Sequence, residues 1–325
     1  MRLSIASTPA GPLADAAAVR ATALAAEAVG YSGLWVLDRP LPPLGAGTGG
    51  EEQGTAAAPA PQEQVLDPLG VVATAAAVTT RLRLGTSLAA AAWCPPPLLV
   101  HALTTLDVLS DGRLTLALGT GGPLDGDGVS AECADGADGG LGAGGPRRPL
   151  DDLLDAIDAR WGGIRPVGSR APAHPGTVDD RLQPIQHPRP PVLLAAHTPA
   201  AFDRVARRAD GWLLTDLALH DVSPTWHRIR TAATAAGRDA TLLTLAVRAG
   251  VTLTDRPLAT GRPPYTGSVD QVVDDLLIVG RLGAHEVILA LAGAPVLDEM
   301  LDSYARVAEA FELRRDEVVR APTTT

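Results

Sequence analysis

Apolar, strand-like runs alternate with longer stretches of helical period along this whole chain, and that alternation limits its possible folds more than any other feature. The runs Arg2–Ser7, Gly33–Leu37, Arg81–Ala89, Arg113–Leu118, Pro191–Ala195, Gly211–Thr215, Leu242–Leu253 and Glu286–Leu291 read as strands. The stretches Leu13–Val29, Asp67–Val78, Pro95–Leu109, Leu150–Trp161, Pro199–Ala209, Ser223–Ala236, Val269–Leu282 and Val296–Glu312 read as helices. Successive strand–helix units build a parallel sheet covered by helices. Punctuation agrees with the pattern: Gly30 stands where a helix C-cap belongs, and Asp67-Pro68 caps and opens a helix. Eight such units favour closure into a single α/β domain, a (β/α)8 TIM barrel, over an open doubly wound sheet.

A barrel of this kind takes about 250 residues. This chain has 325, so the surplus is expected in insertions. Residues 41–64 (Gly, Ala and Pro) and 121–148 (Gly and Asp) have no periodicity and read as long mobile loops after strands two and four. Both would stand on the C-terminal face, where barrel enzymes keep their active-site loops. Residues 313–325 read as a flexible tail.

Composition closes off several functional classes. A net charge of −10 argues against nucleic-acid binding, which needs basic surface to neutralise phosphates. No stretch approaches the roughly 20 consecutive apolar residues of a spanning helix, and the chain opens straight into a strand without a leader pattern, so a cytoplasmic protein is expected. Two cysteines make no disulfide framework, and the seven histidines show no metal-ligand spacing. Lys is absent, which removes any Schiff-base lysine, and Asn is absent too. Ala, Gly, Pro and Arg abound instead, a bias that very G+C-rich genomes, actinobacterial ones among them, write into their proteins.

Several segments, taken in order, resemble the luciferase-like family of flavin-dependent monooxygenases and deazaflavin-dependent dehydrogenases and reductases. Ala28-Val-Gly-Tyr-Ser-Gly-Leu-Trp-Val-Leu-Asp38 is similar to its entry into the second strand, and Thr80-Arg-Leu-Arg-Leu-Gly-Thr-Ser87 to its third strand. His101-Ala-Leu-Thr-Thr-Leu-Asp-Val-Leu-Ser-Asp-Gly-Arg113 and Leu114-Thr-Leu-Ala-Leu-Gly-Thr-Gly121 resemble the helix, turn and strand that follow. Ala206-Arg-Arg-Ala-Asp-Gly-Trp212 and Gly267-Ser-Val-Asp-Gln-Val-Val273 resemble its later signatures. The resemblance implies an oxidoreductase that holds the deazaflavin F420, or FMN, across the C-terminal mouth and acts on a small organic substrate.

It also implies a site. Asp38 and Arg39 would be the catalytic pair, with Asp38 also against the cofactor. Thr86, Ser87 and Leu88 match a bulge, often with a non-prolyl cis peptide, that supports the cofactor ring. Thr120, Gly121 and Gly122 match the backbone that approaches the ring. Ala196, His197 and Thr198 match a phosphate-binding turn, where the helix from Pro199 would aim its N–H groups at a phosphate.

The departures from the family pattern concern chemistry. Arg39 stands where a His usually follows the Asp, and Arg cannot accept a proton. Gly122 stands where a Glu often follows, and His197-Thr198 replaces a Gly-Gly pair. Two other readings therefore stay open: a cofactor-free barrel working as a non-redox tailoring enzyme or ligand-binding protein, and a catalytically silent subunit of a dimer.

Overall fold

The computed structural model describes residues 1–7, 9–38, 64–88, 94–119, 149–162, 182–215, 219–293 and 296–320. Arg39, residues 41–63, Thr120, Gly121, Gly122, residues 123–148 and the end of the chain from 321 lie outside them. Strands β1 (Arg2–Ser7), β2 (Gly33–Leu37), β3 (Arg83–Leu88), β4 (Leu114–Leu118), β5 (Val192–Ala195), β6 (Gly211–Leu214), β7 (Thr244–Leu253) and β9 (Glu286–Leu291) pair in parallel with their neighbours. The ring closes because β7 pairs with both β6 and β9, and β9 pairs back to β1. A two-residue strand, β8 (Thr266–Gly267), adds to the far end of β7. Helices α1 (Ala16–Val29), α2 (Pro68–Val78), α3 (Pro96–Leu109), α4 (Pro149–Trp161), α5 (Pro199–Arg208), α6 (Leu219–Ala235), α7 (Val269–Arg281) and α8 (Leu297–Arg320) surround it. The chain is thus a closed eight-stranded TIM barrel, as the alternation predicts.

Two expectations at the helix ends need correction. The tail expected from 313 is helical to Arg320. The sequence there is polar, but Arg314 reaches Asp274 of α7 at 3.4 Å and Arg315 pairs with Glu312 one turn back, which supports the extra turns. Helix α6 begins at Leu219, ahead of Ser223, with Asp221 in its first turn and Val222 buried. The first expected insertion ends in order: Gln64 accepts from the Gly11 N–H at 2.8 Å, and Val65 bridges Ala10.

Alternation along each strand divides the apolar residues between two cores. Leu34, Val36, Leu84, Leu116, Val192, Leu194, Val247 and Leu289 face the helices. Ala6, Trp35, Ala117, Leu193, Leu213, Ala246 and Ile288 fill the barrel. Barrel interiors usually hold layers of branched side chains. Here one indole, 2% exposed, shares the centre with three alanines, two leucines and one isoleucine. Gly85 makes room for it: a Cβ there would fall 2.6 Å from Trp35 Cε2, with other ring atoms nearer still.

The buried carboxylate of Glu286 anchors that indole from the N-terminal end of the barrel. It accepts from Trp35 Nε1 at 2.8 Å and Ser4 Oγ at 2.7 Å, and pairs with Arg2 at 3.1 Å. With three donors, the buried charge is compensated. Arg83, bonded to Thr115 at 2.7 Å, shares this end, and burial pulls its guanidinium below its ordinary range.

Candidate functional site

The strand ends opposite Glu286 form the mouth of the barrel, and alternation decides which side chains enter it. On β3, Gly85 faces Trp35 and Leu84 faces the helices, so Ser87 points into the mouth and Thr86 into the outer core. Pairing is regular through this stretch: Thr86 and Ser87 match Val36 and Leu37 of β2, and Leu116 and Ala117 of β4. Leu88 continues the register opposite Leu118. The bulge expected at Thr86–Leu88 is therefore absent, and among the described residues the only cis peptide is His187–Pro188.

Thr86 is fully buried, and its Oγ1 has no hydrogen-bond partner. A hydroxyl left unbonded in a core costs about 1–3 kcal/mol, whereas an isosteric methyl does not. Thr86→Val is accordingly expected to raise the urea midpoint, by about 1 kcal/mol of stability, and to leave ligand affinity in the mouth unchanged. Lower stability would mean that the hydroxyl is satisfied in solution.

Asp38 continues the β2 ladder, its N–H donating to the Ser87 carbonyl at 2.9 Å. Leu37 packs with the interior cluster and Val36 with the outer core, so the alternation carries Asp38 to the helix side of the rim. Its catalytic partner in the sequence reading, Arg39, lies outside the described residues, as do Thr120, Gly121 and Gly122. Gly119, at the end of β4, leaves space beside Ala195: a Cβ there would meet only the Ala195 Cβ, at 3.9 Å.

The expected phosphate turn separates into three roles. Ala196 is buried in the outer core, and its carbonyl accepts from Trp212 Nε1 at 3.0 Å. Thr198 is the N-cap of α5, its hydroxyl accepting from the Ala201 N–H at 3.3 Å. His197 turns into the mouth between them, and its Nε2 lies 3.0 Å from Thr215 Oγ1 at the end of β6. The register explains the meeting: Ala195 pairs with Leu213, so residues two further along stand opposite each other.

The same row extends to β7. Leu214 pairs with Val247, so Arg248 stands beside Thr215, and it shares an interior face with Ala246. Sequence reading missed Thr215 and Arg248. Thr215 carries no signal of its own. Arg248 carries a weak one, being the sole charge in the apolar strand Thr244–Leu253 and in phase with its interior face. The mouth thus unites small side chains on β3, β4 and β5 with a donor-bearing row, His197, Thr215 and Arg248, on β5, β6 and β7.

The segment after β7 borders a groove of about 390 Å³ lined by Leu219, Leu258, Thr260, Arg262 and Gln271. Arg262 is fixed there by Asp275, at 2.6 and 2.9 Å. Among the described residues no group of three or more His, Cys, Asp and Glu could hold a metal ion, and no helix is long and apolar enough to cross a membrane.

Comparison with known proteins matches residues 2–260 to the luciferase-like monooxygenase family. An uncharacterised protein of Mycobacterium tuberculosis is 32% identical over 177 residues, 54% of this chain and 59% of the relative. The phthiodiolone/phenolphthiodiolone dimycocerosates ketoreductase of the same species is 28% identical over 177 residues, 53% of this chain and 43% of that protein. The matches thus span less than two thirds of these relatives. Among solved structures, an F420-dependent secondary alcohol dehydrogenase in complex with an F420–acetone adduct superposes with a TM-score of 0.67 at 14% identity, covering 95% of this chain and 98% of the other. A riboflavin lyase with modified FMN and riboflavin gives 0.66 at 14% identity, covering 97% and 92%.

Proposed function

The chain belongs to the luciferase-like monooxygenase family, and from that premise we propose that it is an oxidoreductase that holds F420 or FMN across the C-terminal mouth and acts on a small organic molecule. A ketone or the corresponding secondary alcohol is the favoured substrate class. Two similar proteins, the mycobacterial ketoreductase and the F420-dependent secondary alcohol dehydrogenase, support that choice.

The observation that carries the reading is the division of the mouth. Ser87, Gly119 and Ala195 leave room on one side, while the other side presents His197, Thr215 and Arg248. A flat ring needs the room, and the anionic part of either carrier needs a basic donor set, so the residues present fit the group. Arg248 and His197 would hold the anionic portion, Ser87 would lie beneath the ring, and Trp35 with Gly85 would close the barrel below it. When bound, the carrier supplies two-electron chemistry, and the protein supplies position and electrostatics.

Helix α5 contributes less to anion binding than the family pattern implies. Pro199 has no N–H, and Thr198 already accepts from the Ala201 N–H. This observation favours, as a second reading, a barrel of the same shape that binds a non-redox ligand. Ser87→Trp separates the two. Filling the ring's side of the mouth is expected to weaken F420 or FMN binding at least tenfold in a fluorescence titration, with the fold intact by circular dichroism. Unchanged affinity would place the carrier elsewhere and defeat the proposed site.

A further inference from the structure

We propose that His285 is a proton-released latch on the seam that closes the barrel: its neutral imidazole ties β9 to β7, and mild acid undoes the tie. The inference is independent of the carrier reading above.

The regular pairing of β7 with β9 runs from Ala246 opposite Glu286. One residue ahead of it on each side, Leu245 and His285 are joined twice. The His285 N–H donates to the Leu245 carbonyl at 2.8 Å, and the Leu245 N–H donates to His285 Nδ1 at 3.1 Å. A side chain thus supplies the acceptor that a backbone carbonyl supplies along the rest of the ladder. The His285 carbonyl also accepts from the Arg2 N–H at 2.8 Å, so this one residue joins β9 to both of its neighbours. Trp226 of α6 meets the imidazole in a T-shaped contact, with ring centres 6.2 Å apart and planes at 78° less three, that is 75°.

The tie needs one protonation state. Nδ1 accepts from Leu245 only while it carries no proton, so the bond assigns the ring proton to Nε2. Imidazolium would turn a donor towards a donor. The charges acting on the ring are Arg2 of β1, the Met1 amino group and Arg230 of α6, all cationic. Glu286, next in the chain, turns into the barrel, where Arg2, Ser4 and Trp35 hold it. Partial burial, followed by the three cations, pulls the imidazole below its ordinary range. The tie is therefore complete above about pH 6.5, the ordinary histidine value, and is lost as pH falls through the lower midpoint of the folded protein.

The test follows two signals by NMR from pH 7.5 to 4.5. One is the His285 C2–H shift, identified by its cross-peaks to Trp226. The other is hydrogen exchange at the Leu245 amide, expressed as a protection factor so that the intrinsic pH dependence of exchange is removed. Wild type is compared with His285→Gln, whose side-chain oxygen accepts from the Leu245 N–H and does not titrate. The expected result is a wild-type midpoint below about 6.5. Leu245 protection should then fall further in wild type than in His285→Gln, by tenfold for each pH unit between that midpoint and about 6.5. Arg230→Gln, at an exposed position, keeps the test decisive if His285→Gln does not fold. At low salt it is expected to raise the His285 midpoint and to start the loss of protection at a correspondingly higher pH. A wild-type midpoint at or above the ordinary value, equal falls in wild type and His285→Gln, or a midpoint that moves in Arg230→Gln without the protection following it would overturn the inference.

Discussion

Gly85→Ala is expected to destabilise the protein by about 3 kcal/mol, the upper part of the range for overpacking a filled core. The new methyl would overlap three atoms of the Trp35 indole. The ring has nowhere to go: it is 2% exposed, packed among the interior residues and tied through Nε1 to Glu286 at 2.8 Å. Relief needs either backbone movement in β2 and β3 or loss of the bond to Glu286, which takes one of three donors from a buried carboxylate. Urea unfolding of Gly85→Ala, Trp35→Leu and the double variant forms a cycle that isolates the clash. The account expects the double variant to be more stable than Gly85→Ala alone. Additive losses would mean that Gly85 is required for some other reason.

Asp107→Ala is expected to cost about 3 kcal/mol as well, by a different mechanism. The carboxylate is fully buried and accepts from the Ile185 N–H at 2.7 Å, the Gln186 N–H at 3.1 Å and Gln186 Nε2 at 2.7 Å. It thereby fastens the end of α3 to the segment that leads into β5, the strand that delivers His197. Removing it leaves donors in a dry place, each costing about 1–3 kcal/mol if nothing replaces the bond. Asp107→Asn, which retains one acceptor oxygen, should lose roughly half as much, and the same urea series reads both. Equal stability of all three proteins would show that water or a shifted backbone satisfies the donors.

Asp107 also shows why the fold was so legible and the chemistry so little. The strings that resemble the family hold the scaffold together. Within the string that starts at His101, Arg113 donates to the Ala76, Leu82 and Ser110 carbonyls and to the Thr79 hydroxyl, joining α2, the residue ahead of β3 and its own turn. In the string from Ala206, Arg208 pairs with Asp155 and Asp158 of α4, and Asp210 pairs with Arg189. Gly211 sits where a Cβ would run into the Thr244 carbonyl, and Trp212 bonds the Ala196 carbonyl. In the last string, Ser268 and Gln271 form the capping box of α7. Each constraint ties one residue type to one backbone position, which is why it appears in sequence as a motif.

The mouth leaves fainter traces. His197 was visible as a departure from Gly-Gly, but only the β5–β6 register joins it to Thr215. Arg248 required knowing which face of β7 is interior, and periodicity alone does not say which of two alternating faces is turned inward. Thr86 shows the opposite error. Its place in a ring-supporting string suggested a ligand contact, and the parity of β3 buries it against the helices.

The central claim, that the mouth between Ser87 and the His197–Thr215–Arg248 row is a carrier site, is tested most directly by calorimetric titration of the purified protein with F420 and with FMN. The account predicts one-to-one binding of at least one of them with a dissociation constant in the micromolar range or below, weakened in Arg248→Met. A folded protein that takes up neither carrier at hundreds of micromolar would contradict it and leave the barrel with a non-redox ligand to be found.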